Sequence, residues 1–103
     1  MKPKYSEASV QPISARALSD GQLSLTYRVP LESMFFSPGV DYQTQAGTLR
    51  VVIGRCRIRT DCTVMAERVG PLTADGMLEV RLPYRGEKIL VVHSDKEQLV
   101  SLQ

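Results

Sequence analysis

The feature that most constrains this chain is the two-residue alternation of Leu23, Leu25, Tyr27 and Val29 with Ser24, Thr26 and Arg28. In an extended chain successive side chains point to opposite faces, so this rhythm predicts a strand with one buried and one wet side. Comparable segments recur about every ten residues, divided by turn chemistry such as Ser19-Asp20-Gly21, Ala74-Asp75-Gly76 and Pro83-Tyr84-Arg85-Gly86. Helix signals are scarce. The pattern predicts an all-β domain of about seven short antiparallel strands, an immunoglobulin-like sandwich. A small barrel of six or seven strands is the alternative.

Further strands are expected over Ala8–Leu18, over Thr48–Arg59, at Cys62–Val69, at Met77–Leu82 with Leu78, Val80 and Leu82 inward, at Lys88–His93, and at Gln98–Leu102. Pro12 interrupts the first and cannot donate to a ladder, which assigns that strand to an edge. In Thr48–Arg59, Leu49, Val51 and Ile53 share one parity and Cys56 and Ile58 the other. A bulge at Gly54 would re-phase the strand, holding all five inward and Arg50, Arg55, Arg57 and Arg59 outward. Residues 31–47 show no strand period. They read as a long loop that begins with one helical turn, Leu31 to Phe36, stopped by Ser37-Pro38-Gly39. Residues 1–7 read as a flexible tail, and 8–103 as a single domain.

With 103 residues, the chain suffices for one hydrophobic core. A net charge of +2 does not by itself point to nucleic acid or an anionic surface. No apolar run reaches the roughly 18–20 residues of a membrane-spanning helix. The N-terminal residues lack the apolar stretch of a signal peptide. The compartment is therefore cytoplasmic if Met1 is the native start, and extracytoplasmic if an export signal has been removed.

No phosphate-binding loop, dinucleotide fingerprint or zinc-protease motif is present, so no cofactor is expected. The single histidine, His93, is followed at once by Ser94 and Asp95, a spacing unsuited to a catalytic relay. Together these point away from an enzyme. Three candidate sites remain. Cys56 and Cys62 flank a tight turn. A turn centred on Arg59 brings them within reach of a disulfide, whereas one centred on Thr60-Asp61 does not, leaving two small buried thiols. Arg50, Arg55, Arg57 and Arg59 could grip phosphates or carboxylates, and so bind an anion or nucleic acid. They could equally form a solvated face paired with Glu67, Glu79 and Asp61. Met34, Phe35 and Phe36 either plug one end of the fold or form an exposed apolar patch.

The leading expectation is a non-catalytic interaction module, such as an accessory subunit of a larger assembly. It would bind another protein, or its own copy, through an edge strand or the 31–47 loop. Anion or nucleic-acid binding through the arginine-rich strand is the alternative, and a small redox or metal-binding protein the third.

Overall fold

In the computed structural model, which describes residues 2–103, a 3-10 turn at Glu7–Val10 precedes ten strands. These are β1 (Ser14–Ala17), β2 (Gln22–Arg28), β3 (Phe35–Phe36), β4 (Gly39–Gln45), β5 (Thr48–Ile53), β6 (Cys56–Arg57), β7 (Ala66–Glu67), β8 (Met77–Pro83), β9 (Lys88–Val92) and β10 (Glu97–Val100). They form a three-stranded sheet ordered β1-β2-β8, a five-stranded sheet ordered β10-β9-β5-β4-β7, and a two-stranded ribbon of β3 and β6. The all-β expectation holds, in several sheets and not as a closed barrel. Among the described residues no helix is long and apolar enough to cross a membrane.

The alternating strand behaves as its pattern requires. Leu23, Leu25 and Tyr27 of β2 are fully buried and lie opposite Leu82, Val80 and Leu78 of β8. Val40, Leu49, Val51, Ile89 and Val91 from the five-stranded sheet join the same hydrophobic cluster. Each such aliphatic side chain contributes roughly 1.5–3 kcal/mol on burial. The Tyr27 hydroxyl reaches the core without being stranded, because it lies 2.7 Å from the buried Ser37 hydroxyl. Burial still pushes the Tyr27 phenol well above its ordinary range.

Several expectations are corrected. The strands are not all antiparallel, because β5 and β9 pair in parallel with Leu49 opposite Ile89 and Val51 opposite Val91. Parallel neighbours need a long crossover, which the chain between them supplies by way of β6, β7 and β8. Residues 31–47 are not one loop. Phe35 and Phe36 are extended against β6, where a helical turn was expected, and β4 is a full partner of β5. Its hairpin closes through Ala46 and Gly47, both at positive φ (52° and 78°), the backbone of a two-residue primed turn.

Thr48–Arg59 does not continue through a bulge. β5 stops at Ile53, Gly54 donates its N–H to the Gly39 carbonyl, and the chain restarts as β6 in the ribbon. Ile58, expected inward, is therefore exposed. Of Cys62–Val69, only Ala66–Glu67 is strand. Gly39, at φ 146°, lies so close to β7 that a methyl group there would run into the Ala66 carbonyl oxygen, with Glu67 Cα at 2.9 Å.

Met1 lies outside the described residues, and within the expected tail Lys2 and Lys4 are exposed while Tyr5 is not. Tyr5 is buried in the core cluster, and its carbonyl accepts the Ser94 N–H at 2.8 Å. A lone aromatic among Lys4 and Ser6 carries no period, and only tertiary packing accounts for its burial.

Candidate functional site

One end of the molecule gathers what the sequence scatters. Where β2 ends and β8 begins, a groove of about 430 Å³ opens against the β3–β6 ribbon, lined in part by Arg28, Pro30, Leu31, Phe35, Phe36 and Leu72. Phe35 and Phe36 are half-buried and form part of its wall, while Leu31 is fully solvent-exposed and Met34 and Leu72 are each 44% exposed. Pro30 stands two residues past the end of β2, so Leu31 has no ladder to carry it inward. Leu72 sits between Pro71 and Thr73 in a connection rich in turn residues, again with no strand to bury it. Met34, Phe35 and Phe36 were singled out by their composition. Leu31 and Leu72 were not, although an aliphatic residue inside turn chemistry was the available signal.

Two local devices hold the ribbon. Cys56 and Cys62 are joined by a disulfide with their Cα atoms 6.1 Å apart, and Arg59 between them takes φ +64°. Cys56 is buried while Cys62 is exposed, so the bond ties a solvent loop to the core edge.

The second device is Arg55. Its Nε donates to Glu32 Oε1 at 3.1 Å and its Nη2 to Glu32 Oε2 at 2.5 Å, a bidentate pair. Its guanidinium lies 3.7 Å from the Phe35 ring centroid and 5.7 Å from that of Tyr5. The stacking contributes roughly 0.5–2 kcal/mol, more than the part-exposed ion pair at roughly 0–1 kcal/mol. Hydrogen bonding from Arg55 holds the Glu32 carboxyl below the ordinary carboxylate range, and the same bond raises the guanidinium. Burial, reinforced by Glu32, pushes the Tyr5 phenol up to about 12. Among the described residues the buried Tyr5 hydroxyl has no hydrogen-bond partner.

The four arginines do not form one row. Arg50 remains on the five-stranded sheet, 3.0 Å from Glu97 of β10. Arg55 turns onto Phe35 and Glu32. Arg57 and Arg59 ride on the disulfide loop, both exposed and, among the described residues, outside any ion pair. The break after Ile53 separates them, since it transfers the chain from one sheet to another. Glu79, expected to neutralise the row, instead accepts the Ser24 hydroxyl at 2.6 Å and pairs with Arg81. Those bonds, that from Ser24 foremost, hold its carboxyl low.

His93, Ser94 and Asp95 are committed to separate partners. His93 is buried with Nε2 2.8 Å from Gln98 Oε1, and Gln98 exchanges two amide hydrogen bonds with Gln11. The Ser94 N–H is taken by Tyr5. The Asp95 carboxylate accepts the Glu7 N–H at 3.0 Å, which is the chief reason it titrates below its ordinary range. Among the described residues no group of three histidine, cysteine or acidic side chains could hold a metal ion.

No family model matches the chain, and no curated protein or solved structure matches it either. What the site can do therefore rests on its own chemistry: apolar side chains held out to solvent around a stapled ribbon, with arginines nearby that form no ion pair among the described residues.

Proposed function

We propose that this chain is a non-catalytic protein-interaction module, an accessory subunit whose docking surface is the groove at the β3–β6 ribbon. In this reading the three- and five-stranded sheets are the two layers of an immunoglobulin-like sandwich. Their shared hydrophobic cluster supports that architecture, with the parallel β5–β9 pair as a departure from it.

The observation that carries the docking surface is the full exposure of Leu31 in the same groove as the part-exposed Leu72, with the part-exposed Met34 next to β3 in the chain. Folding buries nothing of Leu31 and leaves 44% of Met34 and of Leu72 in water, whereas covering them with a partner would contribute as core burial does. The stacked Arg55 and the disulfide restrain the ribbon in advance, which lowers the ordering cost of association.

A photo-crosslinking residue at position 31 tests the reading. A control at position 20, in the turn at the far end of β2, reports non-specific capture. Adducts are expected from position 31 alone, and they should be lost when Met34→Asp and Leu72→Asp are added to a protein of unchanged circular dichroism. Equal capture from both positions, or adducts indifferent to the two aspartates, would refute it.

A further inference from the structure

The ribbon has an unused side. Ile58 donates its N–H to the Met34 carbonyl at 2.9 Å, and Phe35 lies opposite Arg57, with Phe36 opposite Cys56. In an antiparallel pair, bonded and non-bonded positions alternate. Met34–Ile58 and Phe36–Cys56 are thus the bonded pairs, and the Phe35 N–H and C=O point away from β6. Among the described residues no other strand pairs with β3. This outward donor and acceptor lie on a strand whose side chains line the groove.

The charge around that edge is mixed with arginines in the majority, Asp61 of the disulfide loop and Asp75 of the groove standing against them. Arg28 lines the groove, Arg57 stands across from Phe35, and Arg59 follows two residues later. All three are exposed and, among the described residues, none is ion-paired. Glu32 is occupied by Arg55, which leaves Asp75 as the other carboxylate lining the groove.

We propose that the groove receives an extended acidic segment of a partner protein, which adds as a strand to the outer edge of β3. This rests on the docking surface proposed above and names its occupant. Main-chain bonds to Phe35 fix the register of the segment. Alternate side chains then divide, with aliphatic ones turned toward Leu31, Phe36 and Leu72 and carboxylates toward Arg57 and Arg28. A lipid surface offers no partner for the Phe35 amide. A nucleic-acid base would need an open aromatic face, and Arg55 already covers one face of Phe35.

The probe is a library of blocked nonapeptides in which Glu or Asp alternates with Val, Ile or Leu, read by fluorescence anisotropy. Its counterparts carry Lys for the acids, or N-methyl groups on alternate amides. Acidic members should bind, and Lys members should not. N-methylation of the edge facing β3 should abolish binding, and the Phe35 amide should gain hydrogen-exchange protection. Arg57→Glu should weaken binding roughly tenfold or more, as expected for a charge-assisted hydrogen bond, while Arg50→Glu on the distant sheet should leave it unchanged.

Binding indifferent to peptide charge, no binding by any acidic member, or Arg57-dependent binding to phosphatidylserine vesicles in place of peptide would each overturn the proposal. If adducts from position 31 persist in those cases, the docking surface stands and its acidic occupant falls. If they vanish as well, both fall.

Discussion

Breaking the Cys56–Cys62 bond should cost a measurable part of the stability of the whole domain. The bond joins residues six apart in sequence, so the ring it closes in the unfolded chain is short. Closing a ring of about seven residues removes roughly 8 cal/mol/K of chain entropy, or about 2.4 kcal/mol at room temperature. For a domain of about a hundred residues that corresponds to a fall in melting temperature of roughly 10 °C or more.

Cys62→Ser is the suitable variant, because Cys62 is exposed and a hydroxyl there is hydrated, whereas Cys56 is buried and its replacement would add a core penalty. Thermal melts followed by circular dichroism would compare this variant with the wild type, with and without a phosphine reductant, and mass spectrometry would verify the thiol state. Reduced wild type and Cys62→Ser should melt together, below the oxidised protein. Amide exchange should rise in the ribbon through local opening, and the most protected amides of β2 and β8, which exchange through global unfolding, should rise in step with the lost stability. An unchanged melting temperature in protein of confirmed dithiol mass would refute the reasoning, as would finding two free thiols in protein purified without reductant.

Acid should weaken the Arg55–Glu32 contact. Because the folded-state pKa of Glu32 lies below its ordinary value of 4.5, its contribution is present above that value and is lost as pH falls through the folded-state pKa. Urea denaturation at a series of pH values should therefore show a shallower acid limb for Glu32→Gln than for wild type, the remaining slope including Glu79; superimposable limbs would contradict this. Gly39→Ala should destabilise by roughly 3 kcal/mol or more, since backbone atoms of β7 occupy the space of the methyl group and positive φ adds strain. A chemical denaturation midpoint within error of wild type would contradict the close approach of β4 and β7.

How much was legible in the sequence follows from what periodicity can encode. β2 and β8 declare themselves because each has one face in the core and one in water. β4 stays silent: beyond Val40 only Tyr42 is drawn to the core, and Gln43, Thr44 and Gln45 are exposed. Its turn carries Gly47, but Ala46 stands where Asn or Asp would have signalled a hairpin. Parity also cannot reveal a change of sheet. Reading Thr48–Arg59 as one strand placed Arg50 beside Arg55 and Arg57, and the break after Ile53 undid that. Met34, Phe35 and Phe36 were found because three large apolar residues in a row stand out. Leu31, Leu72 and Glu32 owe their places to how separate segments meet, which no local window contains.

The parallel neighbour of β5 sets an order of assembly. Thr48–Ile53 can form its hairpin with β4 as soon as both leave the ribosome, but its other ladder waits for Lys88–Val92. From the emergence of Ile53 until that of Lys88 the nascent chain thus exposes an open edge bearing Leu49, Val51 and Ile53, and fragments that end between the two keep it permanently. Premature termination products of this protein should be clients of holdase chaperones even where every segment they contain is native.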